Sequence, residues 1–565
     1  MNRRLLLIAI FLMATNISLF GQTLPVGLLD NIEDTYRRQQ LLGRDSSKSS
    51  YMIRPMYMSP DKNFDLNEDG KYRVNDFMKL IYTDPGTKLK VYALPVVWQN
   101  QVNTHHPYGI NDGSMVQARG YQTQISAGLF AQIGPLTIQL RPEYVYADNT
   151  KFQKLSEAPN KEYFITPITN YYNRIDLPDR FGDNDYSKLS WGQSSIRLNA
   201  GPVSFGLSNE NLWWGPGVRN SLLMSNNASG FKHLTLNTIK PINTYIGSFE
   251  AQIVGGRLEQ SGVPGPIGQQ YVQQPKDWRY FSGIVATYQP KWIPNFFIGA
   301  ERTFIVNKRD MGSSFGDYFP IFTSPEKSTF ENPDGSNAED QAARDQYIAF
   351  FTKYVLPESK AEIYFEYGRN DHSYNTRDAL VEPQHSRAYI VGFRKLIPLR
   401  RADEYIQMGI EFTQLQMPET RYIRDTPPWY GHYQVVDGYT NRGQVLGAGI
   451  GPGSNLQSLN VNWVKGLKKI GLQFERMANN EDLFTNFALN TPSPQQFINR
   501  HWIDLSVGTN FAWTYKHFVL NSQLVYIKSL NYQYQWKDDD GVDFWTWDQQ
   551  DVNNFNIKVG ILYKW

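Results

Sequence analysis

From about Leu89 onwards, apolar and polar residues alternate with the period of two that marks a β-strand with two different faces. The C-terminal stretch is the clearest case. Phe555, Ile557, Val559, Ile561, Tyr563 and Trp565 fall on one face, and Asn556, Lys558, Gly560 and Lys564 on the other. Such a strand suits a barrel wall, with lipid outside, water inside and an aromatic ring at the interface. The same alternation sets Tyr245, Gly247, Phe249, Ala251 and Ile253 against Ser248, Glu250 and Gln252. It sets Ala361, Ile363, Phe365 and Tyr367 against Glu362, Tyr364 and Glu366, and Ile503, Leu505, Val507, Phe511 and Trp513 against Asp504, Ser506 and Asn510. Segments of this kind number about 17–19, and bacterial single-chain barrels prefer even counts, so about 18 strands are expected. Polar, Pro/Gly-rich connectors near 256–278, 308–345, 416–456 and 532–552 are expected as extracellular loops, and short turns such as Gly134-Pro135 as periplasmic ones. The predicted fold is all-β: a transmembrane antiparallel outer-membrane β-barrel over residues 88–565.

Residues 22–87 have a different pattern. Leu28, Leu29, Ile32 and Tyr36 fall at helical spacing, Asp30 with Glu33 resembles a capping box, and Gly43 follows as a C-cap. A second short helix is expected from Asp76 to Leu80. Together these predict a short N-terminal helical segment on the periplasmic side. Residues 1–21 place Arg3-Arg4 before an apolar run, Leu5 to Ala14, and end on Gly21, the arrangement of a cleaved secretory signal peptide. Beyond it no stretch approaches the ~18 apolar residues of a membrane helix. The expected location is therefore the outer membrane of a Gram-negative cell. Outer-membrane lipid and the barrel-assembly machinery are the partners expected during insertion.

Composition narrows the function. Lys+Arg total 56 and Asp+Glu 54, and without Arg3 and Arg4 the two balance, which excludes a strongly basic nucleic-acid binder. The absence of cysteine excludes thiol chemistry, disulfides, Cys-ligated zinc and a lipoprotein anchor. Hydrophobic residues are 41% of the chain, too few for a helical membrane protein, whereas 35 Tyr, 32 Phe and 14 Trp suit aromatic girdles.

Two motifs are more specific. Asn211-Leu-Trp-Trp-Gly-Pro-Gly217 is followed by Ser221-Leu-Leu-Met-Ser-Asn-Asn-Ala228, and later by Gly438-Tyr-Thr-Asn-Arg-Gly-Gln-Val-Leu-Gly447. Gly182-Asp-Asn-Asp-Tyr186, Trp191-Gly192 and Ala388-Tyr-Ile-Val-Gly392 accompany them. This set resembles the Wzi family of capsule-assembly outer-membrane proteins, in order over most of the mature chain. The resemblance implies a barrel of about eighteen strands and a lectin-like protein, not an enzyme, that attaches or organises capsular or other surface polysaccharide. It also implies a periplasmic helical element, here short beside a full bundle. The family motif comprises Trp213, Trp214, Gly215, Pro216, Gly217, Ser225, Asn226 and Asn227. On a strand, adjacent Trp213 and Trp214 point to opposite faces, one to the lipid interface and one inward. The alternative is that a Trp face stacks on a sugar ring.

A separate glycan candidate is the loop of Trp429, Tyr430, His432, Tyr433, Asp437, Tyr439 and Arg442, where aromatics and hydrogen-bonding groups interleave. Its alternative is a self-packed loop closing the barrel mouth. No cofactor is required by the sequence, but Asp65, Asn67, Asp69, Gly70 and Asp76 match the spacing of an EF-hand-type calcium loop, and an ordinary turn is the competing reading. Gly312-Ser-Ser314-Phe-Gly316 fits the G-x-S-x-G pattern but lies in a long connector, without the strand and helix that its chemistry needs. The function that competes with polysaccharide binding is a porin-like channel, since a polar lumen serves either.

Overall fold

In the computed structural model, residues 22–565 are described except 29, 46, 58–76, 158–160, 266–276, 323–329, 332–336, 339–342, 371–375, 402, 423–427, 491–499 and 536–550. The leader, Leu29 and the Asp65–Asp76 calcium candidate lie outside the described residues.

The wall is one antiparallel sheet of twenty-four segments. Its last strand, Val552–Tyr563, pairs with Phe518–Leu530 on one side and with Val96–Asn103 on the other, so the ladder returns to its start. Four strands are each kinked into two segments: Leu89–Ala93 with Val96–Asn103, Gly120–Ser126 with Leu129–Ile133, Leu136–Leu140 with Glu143–Ala147, and Tyr186–Ser190 with Ser195–Ala200. Counting each of these once, and setting aside the appended Lys79–Asp84 and Ile242–Asn243, the circuit has eighteen strands. Among the described residues no helix is long and apolar enough to cross a membrane.

The kinks line up across the four strands. Pro95 and Pro142 cannot donate to the ladder, and at Gly192 (φ +54°) a Cβ would lie 2.4 Å from the Arg141 carbonyl oxygen. The fully buried Arg141 side chain donates to the Pro95 carbonyl at 3.0 Å, and Leu94 N–H donates to that of Gly128. The C-terminus is held at the same row: Trp565 Nε1 donates to the Leu94 carbonyl at 2.9 Å.

Polarity is reversed relative to a soluble protein. On Ala361–Asn370, Ile363 and Phe365 are exposed while Glu362, Tyr364 and Glu366 are buried. On the terminal strand Phe555, Ile557 and Val559 are exposed and Asn556 is fully buried. This is the alternation expected from the sequence: apolar outward to lipid, polar inward. Long connectors gather at one end of the barrel and tight turns at the other.

The N-terminal region corrects the expectation for residues 22–87. Among the described residues it holds one helix, α1 (Asp30–Leu41), ended by Gly43 at φ +67°. Where a second helix was expected, Lys79–Asp84 is a strand in a hairpin with Leu89–Ala93, because its residues continue the wall ladder. The helix also sits within the tight-turn end of the lumen rather than beyond it. Arg37 pairs with Glu362 at 2.7 Å, Asp34 with Arg394 at 2.5 Å, and Asn31 donates to Asn521 at 2.5 Å. Burial alone would raise the Asp34 carboxyl, but Arg38 and Arg394 hold it well below the usual carboxylate range.

Removing residues 563–565 takes away the Trp565 anchor and the Tyr563–Phe518 ring contact at 5.3 Å. The truncated chain should lose the heat-modifiable, membrane-inserted form on gels run with and without boiling. Normal assembly of the truncation would contradict this account of the terminal strand.

Candidate functional site

Two stretches enter the lumen from opposite ends and meet. From the tight-turn end comes 22–57. From the other comes the connector 209–231, and the two join where Ile53–Arg54 pairs antiparallel with Trp213–Trp214. Gly215 N–H then donates to the Met52 carbonyl at 2.9 Å. Both tryptophans are buried, which corrects the expectation that one reaches the lipid interface. The strand that they form belongs to the plug and not to the wall, so both of its faces are interior. The Arg54 guanidinium lies 4.9 Å over the Trp213 ring, and Trp214 Nε1 donates to Gln252 Oε1 at 2.8 Å. At Gly217 a Cβ would sit 1.8 Å from the Asn220 carbonyl oxygen, so this turn closes only around glycine.

Because the plug is mostly irregular, its backbone amides need acceptors, and the inner wall supplies carboxylates. Glu411 accepts from the N–H groups of Val218 (2.7 Å), Arg219 (3.1 Å) and Asn220 (2.8 Å), and from the Tyr364 hydroxyl. Glu366 accepts from Leu222 N–H at 2.8 Å, and Glu250 from Ser50 N–H at 2.7 Å. Buried Glu210 binds Arg197 at 2.5 Å and also the Thr23 hydroxyl.

The polar part of the family motif ties the plug to other loops. Ser225 Oγ donates to the Gly447 carbonyl, Asn226 Nδ2 to that of Asn111, and Asn227 Nδ2 to that of Val445. The expected glycan loop does the same work. Trp429, Tyr430, Asp437 and Tyr439 are fully buried, so none of these three rings offers a face to a ligand. Tyr430 Oη donates to the Leu222 carbonyl, Tyr439 Oη to Thr303 Oγ1, and Asp437 faces Arg279 at 3.5 Å. The self-packed alternative is the one that the contacts favour. Tyr433 alone is half-exposed, with the Arg174 guanidinium 3.7 Å over its ring, and Arg442 N–H donates to the Glu259 carbonyl. Beside the plug remain two polar chambers of about 230 and 310 Å³, lined with amides such as Asn460, Gln473, Asn510 and Gln523.

A different site lies at the long-loop end. Helices α2 (Lys161–Tyr172) and α3 (Glu481–Leu489) pack together there, beside the turn Tyr532–Tyr534 and the connector around His106. Between them is a cleft of about 220 Å³, lined by His106, Tyr108, Phe152, Tyr171, Tyr172, Trp502, Tyr532 and Tyr534, with Asn479, Asn480, Asp179, Asp504 and Gln533. Left-handed backbone at Asn531, Gln533 and Tyr534 (φ +49°, +57° and +58°) sets the two tyrosines in place. Tyr532 packs 4.6 Å from the His106 ring and 5.1 Å from Trp502, while Tyr534 Oη donates to the Asn479 carbonyl at 2.8 Å. Asp504 accepts from Trp502 Nε1 at 2.9 Å and Asn479 Nδ2 at 3.0 Å.

Burial, with His105 beside it, pushes the His106 ring down to about 3, so it is neutral at ordinary pH. Burial raises the Asp179 carboxyl, while the Tyr172 hydroxyl and Leu155 N–H pull it back. On α3, burial pushes Asp482 up to about 6 despite its pairing with Arg421. Tyr532 and Tyr534 are buried and act as backing, so the ring faces left to the cleft are those of the partly exposed Tyr108, Tyr171 and Trp502, which with the amides can stack on an apolar ring face and bond hydroxyls around it. These residues escaped sequence reading because they come from separate connectors. The one local signal was the interleaved Tyr532-Gln533-Tyr534. Ser314, the other chemical candidate, caps the short helix Phe315–Tyr318, and its hydroxyl donates to Asp317 at 2.7 Å.

The profile of the family described as "Capsule assembly protein Wzi" matches residues 95–544. No curated protein matches the sequence significantly. Among solved structures, the chain is similar to Wzi of Escherichia coli, described as an outer-membrane, carbohydrate-binding β-barrel involved in group 1 capsule assembly. The identity is 11% and the TM-score 0.59, over 96% of this chain and 99% of that one. Pseudomonas aeruginosa OpdQ matches at 8% identity and TM-score 0.37, over 84% and 97% of the two chains. A BenF-like porin from Pseudomonas fluorescens matches at 9% identity and TM-score 0.35, over 84% and 98%.

Glu411→Ala should leave three plug amides without their acceptor, at about 1–3 kcal/mol for each that stays buried. The expected result is new planar-bilayer conductance and faster proteolysis within 213–225, with Glu411→Gln intermediate. Unchanged conductance and proteolysis in Glu411→Ala would show that the plug is held without it.

Proposed function

The chain belongs to the Wzi capsule-assembly family, and from that premise we propose that it is an outer-membrane lectin that holds surface polysaccharide at the cell's outer face. In this reading the leader is cleaved after export, the tight turns face the periplasm and the long loops face outward. The observation that carries the proposal is the aromatic and amide-lined cleft at the long-loop end, where a polymer outside the cell would arrive. It has the features of a binding site: rings with polar rims on a scaffold that fixes them. We therefore read the protein as a binder and not a catalyst. The porin-like alternative has less support, because α1 and the 209–231 connector occupy the lumen from both ends.

A hydroxyl hydrogen bond contributes only about 1 kcal/mol net in water, so one cleft holds a sugar weakly. Retention then depends on many copies gripping one long chain.

Trp502→Ala with Tyr532→Ala removes the partly exposed Trp502 ring and the buried Tyr532 ring that packs against it, each contributing about 0.5–1.5 kcal/mol. The double variant should insert normally yet bind cell-surface polysaccharide roughly tenfold more weakly, read by glycan binding to purified protein. Cells that lack the protein should make polymer but release it to the medium. Undiminished glycan binding by the double variant, or undiminished cell-associated polymer after deletion, would count against the proposal. Trp429→Ala with Tyr439→Ala is expected to act differently, by loosening the plug.

A further inference from the structure

We propose that the long-loop cleft selects uncharged glycosyl residues and rejects acidic ones. The inference rests on the polysaccharide-binding reading above and names the class of sugar that this site takes.

The argument is one of charge. Among the described residues lining the cleft there is no Lys or Arg, while two carboxylates, Asp179 and Asp504, line it. Acidic sugars are ordinarily held by cations, above all by arginine, whose two-pronged donor matches a carboxylate. Two described cations near the cleft are bonded outside it: Lys154 pairs with Glu157 at 3.7 Å, and Arg119 donates to the carbonyls of Thr104 and Lys151 at 3.1 and 2.7 Å.

The remaining polar groups fit a neutral partner. Asn479, Asn480 and Gln533 offer amides, which bond hydroxyls as donor and acceptor. His106 is 3% exposed, and its Nε2 has no partner among the described residues, so a buried polar atom on the cleft wall awaits one. Its ring is uncharged at ordinary pH, and supplies a hydrogen bond without a cation. A uronate placed here would meet two acidic side chains, with no Lys or Arg among the described lining residues to pair with it, which is unfavourable. The volume of about 220 Å³ is below the roughly 300–1,000 Å³ of drug-sized ligand sites, and so suits a short segment of one chain.

The test uses the full-length protein in detergent and surface polysaccharide purified from the cells that make it. The polymer is presented in three forms: native, with its carboxyls chemically reduced to alcohols, and oxidised at C6 to introduce uronates. The reduced form should bind at least as tightly as the native one, and the oxidised form at least tenfold more weakly at low salt. The gap should shrink at high salt. Asp179→Asn should narrow it as well, read as the ratio of oxidised to reduced polymer binding. Equal or tighter binding of the oxidised polymer overturns the inference and leaves the lectin reading in place. Failure of all three forms to bind overturns the lectin reading, and the inference with it.

Discussion

A chain that leaves its sheet and runs through the inside of a barrel must find a partner for every backbone amide that it buries. Here that requirement is met by carboxylates on the inner wall. Glu411 alone takes three consecutive N–H groups of the 209–231 connector, and Glu366 takes another. Ion pairs join plug and wall as well: Arg37 of the plug meets wall Glu362, which Arg394 also pairs, and wall Arg197 meets Glu210 of the connector. Remove the acceptors and the plug has no reason to stay, because a lumen filled with water would satisfy the same amides. The inner-face glutamates are therefore part of the plug, although they belong to the wall in sequence.

This explains which parts of the fold were legible in the sequence. The wall was, because lipid outside and water or polar plug inside impose a period of two on every strand, and Glu362, Tyr364 and Glu366 could be assigned to one face by counting. The plug was not, because its partners lie far away along the chain. Trp213 and Trp214 have the composition of an interface girdle, and only their pairing with Ile53–Arg54 shows that both are interior. The segment at Lys79–Asp84 reads locally as part of a short helix, yet the free ladder of Leu89–Ala93 draws it into a hairpin.

The glycan loop shows the same limit in reverse. Trp429, Tyr430 and Tyr439 have the residue types of a sugar platform, and in the fold they form a wedge. Tyr347 sits 4.4 Å from Tyr439 and 5.5 Å from Trp429, so the rings stack on the wall and on one another. Aromatic composition states that a surface is wanted, but not whether protein or ligand will cover it. The cleft residues His106, Trp502 and Tyr532 are individually unremarkable in sequence and are drawn together only when three connectors converge.

The division of labour follows from these contacts. In this barrel α1 contacts the tight-turn end of the lumen while the 209–231 connector enters from the long-loop end. The connectors that remain at the mouth are then held on a firm base instead of moving over an open pore. A weak binding site benefits from that more than a strong one. Each sugar contact exchanges with water for little gain, so affinity that had to order the loops as well would vanish. On the proposed reading, connectors already ordered by contacts such as Tyr534 with the Asn479 carbonyl and Trp502 with Asp504 would let a small cleft contribute to holding a long polymer, with many protein copies adding to it.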